Sequence, residues 1–241
     1  MIYQEFEQLF LQSCKNNEIK APNPQAVKKF YTFTEHLTLV NQTTNLTAIR
    51  DVPGIITKHY IDSLLASEYI PTGARVLDIG CGPGFPSIPL AIARPDLTIV
   101  ALDSTQKKIH FVDSSIKLLQ LENLRAISAR AEDHELLNDL GKFDVVVSRA
   151  VARLNILCEL CLPYVQAGGT LLAMKAAKAE EELKQAATAI ATLGGSETIV
   201  YSKQLIVDGG SEERNLISIK KTKPSPSIYP RPFSAIKKKE L

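Results

Sequence analysis

The sequence has little that would tie it to a membrane or to an oxidising compartment. No apolar run among its 241 residues approaches the roughly 20 residues that a bilayer span needs. The first residues, 1–7, lack the basic start and apolar core of a signal peptide. The four cysteines fit reduced thiols, and Cys158 and Cys161 have no second Cys/His pair with which to form a zinc site. We therefore expect a cytoplasmic protein without membrane association, and no metal.

The chain also lacks a strong net charge, which is +2 at neutral pH and does not by itself indicate a nucleic-acid partner. The distribution of charge is more informative. From Lys220 to the end, the basic residues are opposed by Glu240 alone, and prolines stand at positions 224, 226, 230 and 232. We expect an extended, poorly packed tail that either neutralises nucleic-acid phosphates or only aids solubility.

Internal repeats are absent, and the pattern of apolar residues divides the chain into helical and alternating parts. Helical spacing predicts three helices first, over 2–15, from about Pro24, and over 55–69 after the break at Pro53-Gly54. Short apolar strands then alternate with helices. The predicted strands are 75–79, 98–102, 124–128, 143–148 and 170–174. The predicted helices between and after them are 85–93, 106–121, 133–140, 153–165 and 178–193.

This alternation predicts an α/β fold whose sheet is mostly parallel and covered on both faces. Two last strands, 198–207 and 215–221, are joined by a loop too short for a crossover helix, so we expect an antiparallel hairpin at the sheet edge. The corresponding domain division is a helical extension packed on the core (1–72), a core domain (73–222) and a basic, proline-rich tail (223–241).

The most informative stretch is 76–86, a buried strand that ends on a carboxylate and turns through glycines into a helix. The glycines follow G-x-G-x-G spacing at Gly80, Gly82 and Gly84, not the G-x-G-x-x-G spacing of dinucleotide sites. Asp78 just upstream suits a ligand with a cationic amino-acid end better than a pyrophosphate. S-adenosylmethionine (SAM) is such a ligand. The alternative is a glycine-rich turn that binds nothing.

Polar residues follow the next two strands, at the sheet edge where α/β folds bind ligands. Asp103 can accept both hydroxyls of a ribose, and the alternative is that it caps the following helix. Glu132 is placed to meet an adenine edge, and N-capping or simple exposure are the alternatives.

Several stretches together resemble one known family, RsmG, also called GidB. They are NLTAIRD (45–51), HYIDSL (59–64), LDIGCGPGFPSIPLAI (77–92), LDSTQKKIHF (102–111), SARAEDH (128–134), FDVVVSRAVA (143–152) and LLAMKA (171–176). Members have the class I SAM-dependent methyltransferase (Rossmann-like) fold and methylate N7 of one guanine in the decoding-region loop of 16S rRNA. The resemblance runs from about 41 to 231 and implies SAM as cofactor and 16S rRNA, the 30S subunit or an assembly intermediate as partner. A monomer is expected.

Carried over by position, the resemblance implies roles for individual residues. Cofactor contacts are implied at Gly80, Phe85, Ala131, Glu132 and Arg149, with Asp78, Gly82 and Gly84 completing the glycine motif and Asp103 taking the ribose. Catalytic roles are expected for Arg149 and Lys175, and RNA contacts for Lys107, Arg130 and Arg231. The alternative for Arg149 is a structural ion pair at the end of the sheet.

The chain also lacks an evident catalytic base or nucleophile, and this fits the implied reaction. Neutral guanine carries a lone pair on N7, so no proton has to be removed first. The [DN]-P-P-[FYW] run of amine methyltransferases is missing, because Ser148-Arg149-Ala150-Val151 occupies that place. Open alternatives are a SAM-dependent enzyme for another RNA or a small molecule, a nicotinamide-dependent oxidoreductase, and a non-catalytic RNA-binding protein.

Overall fold

The computed structural model describes residues 1–149, 152–176 and 179–241. Ala150 and Val151 of the SRAVA stretch, and Lys178 at the predicted start of the last long helix, lie outside the described residues.

A seven-stranded sheet forms the centre of the molecule. Its order is β3-β2-β1-β4-β5-β7-β6; β1 to β5 are parallel, and β7 runs antiparallel to both β5 and β6. This confirms the predicted mostly parallel sheet with an antiparallel C-terminal hairpin. The strands are β1 Arg75–Ile79, β2 Thr98–Asp103, β3 Leu124–Ser128, β4 Phe143–Arg149, β5 Val165–Lys175, β6 Gly195–Val207 and β7 Gly210–Lys221.

Helices cover both faces of the sheet and begin where local chemistry favours a start. Asn23 caps the second helix by accepting a hydrogen bond from the Ala26 N–H (2.9 Å), and Pro24 follows in its first turn. The α-helices are α1 Tyr3–Asn16, α2 Pro24–Val40, α3 Val52–Ile55, α4 Asp62–Leu64, α5 Ser87–Ala93, α6 Gln106–Leu119, α7 His134–Leu140, α8 Leu154–Cys161, α9 Ala179–Thr192 and α10 Phe233–Lys238.

The third helical region differs from the single helix predicted over 55–69. It begins at Val52, because Asp51 accepts a hydrogen bond from the Gly54 N–H (2.7 Å) and Pro53 is tolerated in a first turn. Between α3 and α4 the backbone forms a π-helix, Ile56–Ile61, and a 3-10 turn, Ser67–Tyr69, ends the region. Such wide turns are rare and occur often at functional sites.

The C-terminal hairpin is longer than predicted, and its turn is shorter. Val207 pairs with Gly210, so the turn consists of Asp208 and Gly209 alone, with Gly209 at a φ of +80°. The additional residues of β7, such as Ser211 to Arg214, are largely polar and pair with β6 beyond the part of β7 that pairs with β5. An apolar-run criterion does not detect strands of this kind.

Two hydrophobic clusters pack against the sheet. One joins the aromatic rings of α1, α2 and the π-helix to β1, β2, α5 and α6, and it includes the ring pair Phe10–Phe30, whose centroids lie 4.8 Å apart. The other joins β4 and β5 to α8, α9 and Ile236 of α10. Because the first cluster contains residues of α1, α2 and the strands, the N-terminal helices share a core with the sheet. Each buried aromatic or aliphatic side chain contributes about 1.5–3 kcal/mol to stability.

The tail is more ordered than its composition predicts. It forms α10, and Ile236 of that helix is fully buried. Arg231 donates three hydrogen bonds to the Glu159 carboxylate, from its backbone N (3.0 Å), Nε (2.7 Å) and Nη2 (2.6 Å). Because Glu159 is buried on α8, it needs this partner, and the extended, poorly packed tail that the prolines suggested is wrong.

We expect Arg231→Ala to lower the free energy of unfolding by about 3–5 kcal/mol, because it leaves the Glu159 carboxylate buried without its cation. Urea unfolding measures the loss. Arg153→Ala is the matched control. Arg153 pairs with Glu240 but its side chain is 62% exposed, so about 1 kcal/mol or less is expected. Equal losses in the two variants would contradict the assignment.

Candidate active site

A cavity of about 830 Å³ opens at the carboxyl ends of the parallel strands. A second cavity, of about 950 Å³, lies between the α1–α2 connection and β6 and is lined by residues such as Lys20, Arg94 and Lys203. Size alone would favour the second one. Ligands of open α/β sheets bind beyond the carboxyl ends of the strands, however, so the first cavity is the candidate site.

The glycine loop forms the floor of this cavity. Gly82 has a φ of +55°, and a Cβ built on it would meet nothing within 4 Å, so its backbone faces open space that a ligand can approach. A Cβ on Gly84, in contrast, would come within 2.4 Å of the Ile88 side chain. Gly80 and Gly82 line the cavity, while Gly84 lets the loop pack tightly on α5.

Asp78 lies beneath the loop and not in the cavity. Its side chain is fully buried, and its Oδ2 accepts a hydrogen bond from the Ser87 N–H (3.1 Å). Burial raises the pKa of Asp78 to about 7, although the hydrogen bond from the Ser87 N–H and the charge of Arg149 act in the opposite direction. Among the described residues neither its Oδ1 nor the Ser87 hydroxyl has a partner. The predicted direct contact with a cationic ligand does not fit, because Asp78 has no exposed surface; it braces the loop from below.

Asp103 lines the cavity where β2 ends. Its Oδ2 accepts a hydrogen bond from the Gly82 N–H (2.9 Å), and its Oδ1 accepts one from the Thr105 N–H (2.8 Å). The N-cap of α6 is Thr105, so Asp103 is not the helix cap that was the alternative. Each carboxylate oxygen can accept a further hydrogen bond, which leaves both oxygens able to receive ribose hydroxyls.

The segment after β3 forms the next part of the wall. The Tyr164 hydroxyl donates to the Ala131 carbonyl (2.9 Å) and fixes the backbone there. The Glu132 side chain is 14% exposed and pairs with the largely exposed Arg130 at 3.1 Å. Asp133 caps α7 by accepting from the Glu135 N–H (2.9 Å). Capping by Glu132 is therefore excluded, and its carboxylate lines the cavity.

Arg149 ends β4 and reaches across to the third helical region. Its Nη1 donates to Asp62 Oδ2 (2.9 Å) and to the Lys58 carbonyl (3.0 Å), and its Nη2 lies 3.3 Å from His59 Nδ1. The guanidinium also lies 5.4 Å from the centre of the Phe85 ring. Arg149 therefore makes the structural ion pair that was its alternative role, and it lines the cavity as well.

His59 is held in place and stays neutral. Its ring stacks on Phe85 with centroids 4.3 Å apart, and its Nε2 lies 2.8 Å from Thr47 Oγ1. Burial, together with the neighbouring charge of Arg149, lowers the pKa of His59 to about 3. A base with so low a pKa is a poor proton acceptor at neutral pH, so His59 is a positioning residue for Phe85 and Arg149.

The lowered pKa of His59 has a consequence for stability. His59 is protonated below about pH 6.5 in the unfolded chain but only below about pH 3 in the folded protein. The folded state therefore keeps its full stability above pH 6.5 and loses stability as the pH falls below that value. Between about pH 7.5 and about pH 5.5 we expect this group alone to cost about 1.4 kcal/mol. Urea unfolding of wild type and His59→Gln at both pH values measures the difference, and equal pH dependence in the two proteins would contradict it.

A chain of charged side chains at the cavity was not predicted from the sequence. Asp62 accepts from Arg149 and also from Arg214 Nε (2.9 Å); Arg214 pairs with Glu212 (2.8 Å), and Glu212 with Lys58 (2.6 Å). These linked ion pairs join the third helical region to β4 and β7. Their sequence signals are weak: Lys58 and Asp62 are four positions apart in the helix, and Glu212 and Arg214 share a face of β7 by their spacing of two.

The predicted basic residues have different environments. The Lys175 side chain is only 9% exposed; it pairs with Glu182 at 2.7 Å, donates to the Ala152 carbonyl and lines the cavity. Lys107 is exposed and does not line the cavity, whereas its neighbour Lys108 does. Arg231 is engaged by Glu159, as described above. The RNA contacts of Lys107, Arg130 and Arg231 stay predictions.

Cys158 and Cys161 are buried free thiols, and burial raises the pKa of both. Within residues 1–149, 152–176 and 179–241, no group of three or more His, Cys, Asp or Glu side chains is arranged to hold a metal ion. In the same ranges no helix has the length and apolar character needed to cross a bilayer.

Solved structures share the fold of this chain. An O-methyltransferase from Bacillus cereus in complex with SAH superposes with a TM-score of 0.57 and 16% identity, covering 91% of this chain and 100% of that one. A precorrin-6y C5,15-methyltransferase from Geobacter metallireducens gives a TM-score of 0.51 and 16% identity, covering 75% and 92%. At such identities the likeness establishes the class I methyltransferase fold alone.

Sequence relatives are more specific. Ribosomal RNA small subunit methyltransferase G of Lactobacillus delbrueckii subsp. bulgaricus is 37% identical over 239 residues, covering 97% of this chain and 99% of the relative. The protein of the same name from Lachnoclostridium phytofermentans is 44% identical over 214 residues, covering 87% of each. The family profile GidB, described as rRNA small subunit methyltransferase G, matches residues 26–217. The chain therefore belongs to the GidB family of rRNA small subunit methyltransferases.

Proposed function

We propose that this protein transfers a methyl group from SAM to N7 of a guanine in the decoding-region loop of 16S rRNA. The observation that carries the proposal is the cavity at the carboxyl ends of β1 and β2, where the open backbone of Gly82 lies beside the carboxylate of Asp103. Membership of the GidB family supports the same function. We further propose a cytoplasmic location, a monomer, and the division into helical extension (1–72), core (73–222) and tail (223–241).

The residues around the cavity fit an adenosyl cofactor. Gly80, Gly82 and Phe85 form its floor, and Asp103 is positioned for the ribose hydroxyls. Ala131 and Glu132 are placed for the base, with Glu132 able to accept from an exocyclic amine. Asp78 contributes indirectly, by holding the Ser87 N–H beneath the loop. When bound, SAM supplies an electrophilic methyl group on a sulfonium.

Methyl transfer to N7 requires that the protein align the reactants and provide charged groups, but it does not require a catalytic base. N7 of neutral guanine already carries its lone pair, and His59 with its pKa of about 3 is not a proton acceptor at neutral pH. N7 has to lie about 3–3.5 Å from the methyl carbon and in line with it, and such alignment supplies about 7–11 kcal/mol. We propose that Arg149 and Lys175 serve as positioning cations at this cavity, and that Lys107, Arg130 and Arg231 contact RNA.

The substrate is tested by transfer of labelled methyl from SAM to 30S subunits and to 16S rRNA from cells that lack this gene. We expect one methyl per RNA, mapped as N7-methylguanine in the decoding-region loop. Subunits from cells that carry the gene are the control and should accept no label. Label on a different RNA or on a small molecule alone would support the alternative methyltransferase, and no transfer at all would contradict the proposal.

A further inference from the structure

The segment 229–241, called here the C-terminal strap, is fastened to the core at both ends. At its start, His134 Nε2 lies 2.8 Å from the Pro230 carbonyl oxygen, and Arg231 is held by Glu159. At its end, Glu240 accepts from Asn155 Nδ2 (2.8 Å) and pairs with Arg153. Ile236 is buried between these anchors. The strap is thus a fixed part of the protein surface.

One side chain of the strap, Phe233, lines the cavity. The ring is half-buried and packs against the hydrophobic cluster that contains Ala131, Leu160 and Ile236. Lys237 Nζ lies 5.0 Å from the ring centre. Phe233 is the only residue of the strap on the cavity within the described part of the chain.

The anchors show which end of the cavity Phe233 adjoins. His134 begins α7, directly after the segment 130–133 that follows β3, and Glu159 precedes Leu160 on α8. Phe233 lies two residues beyond Arg231, and it lines the same cavity as Ala131, Glu132 and Leu160. In the sheet β3 neighbours β2, whose end carries Asp103. A ribose held by Asp103 would therefore have the segment after β3 on one side, within reach of its base.

This end of the cavity has the chemistry of a purine site. Phe233 provides an aromatic surface on which a planar base can stack, Leu160 provides an apolar contact, and Glu132 provides a hydrogen-bond acceptor. We infer that Phe233 is a binding residue for the adenine ring of the adenosyl cofactor, so that the C-terminal strap forms part of the cofactor site. This rests on the proposed function.

The test is calorimetric titration of the full chain with S-adenosylhomocysteine, in wild type, Phe233→Ala, Phe233→Leu, Phe233→Tyr and Ser234→Ala. Loss of an aromatic stacking surface weakens binding by about tenfold in Phe233→Ala. Phe233→Leu keeps the apolar packing and loses the planar ring, so it should also bind more weakly. Phe233→Tyr should keep the affinity. Ser234→Ala, at an exposed neighbouring position, should match wild type.

The outcomes separate this inference from the proposed function. Wild-type affinity in Phe233→Leu would overturn the inference, because packing alone would then explain the ring, and this variant decides if Phe233→Ala does not fold. Methylthioadenosine has the same adenosine moiety, so its affinity for the Phe233 variants should fall by the same factor as that of S-adenosylhomocysteine. If the Phe233 variants lose affinity for S-adenosylhomocysteine but not for methylthioadenosine, Phe233 does not contact the adenine and the inference is wrong. Absence of binding to wild type would contradict the proposed function itself.

Discussion

Arg149→Ala is expected to lower the rate of methyl transfer to 30S subunits by about 100-fold, equivalent to about 2.7 kcal/mol of lost stabilisation. The guanidinium lines the cavity beside Phe85, and among the described residues its contacts with Lys58, Asp62 and His59 use three of its five N–H groups. The others remain for a carboxylate or a phosphate, which a planar fork binds well. Single-turnover transfer and calorimetry with S-adenosylhomocysteine separate rate from affinity.

Two variants control for loss of structure around Arg149. Arg149→Lys keeps the charge and loses the fork, so we expect an intermediate rate. Arg125→Ala removes an exposed arginine of β3 that does not line the cavity, and it should behave as wild type. If Arg149→Ala retains both wild-type affinity and wild-type rate, the role assigned to this residue is wrong and only its ion pair with Asp62 remains.

Asp103→Ala is expected to raise the dissociation constant of S-adenosylhomocysteine by about 100-fold. The substitution removes the acceptor for the ribose hydroxyls and, at the same time, releases the Gly82 N–H that shapes the loop; hydrogen bonds to a charged group are worth about 1.5–3 kcal/mol each. Asp103→Asn keeps the shape but offers one oxygen in place of two, so a smaller loss is expected. Calorimetric titration gives both values.

Asp139→Asn serves as the control for Asp103, because Asp139 is exposed and does not line the cavity. NADH is titrated in parallel, since it also carries ribose hydroxyls. Tight binding of NADH by wild type would support an oxidoreductase, and an unchanged affinity of Asp103→Ala for S-adenosylhomocysteine would remove Asp103 from the site.

Much of the sheet could be predicted from the sequence, for a physical reason. Strands of a parallel sheet are buried on both faces and appear as short apolar runs, so the bounds of β1 and β3 are as predicted. Parallel strands also end at a common edge. The residues at or just beyond their ends, including Asp103, Glu132, Arg149 and Lys175, could therefore be assigned to one site, and all four line the same cavity.

Other parts of the site depend on contacts between distant segments. Asp62 and Arg214 are 152 positions apart, and their pairing follows from the π-helix and the register of β7, neither of which leaves a local signal. Asp78 looked like a ligand contact, because the pattern shows that it ends a strand but not which way its carboxylate turns. Composition predicts a poorly packed tail because it does not reveal that a single buried carboxylate, Glu159, fixes Arg231.

The central claim is tested most directly by a crystal structure of the protein with S-adenosylhomocysteine. We predict density in the cavity at the carboxyl ends of β1 and β2, with both ribose hydroxyls on Asp103 and the adenine between Glu132 and Phe233. Ligand density at another place, or none at saturating concentration, would contradict the account.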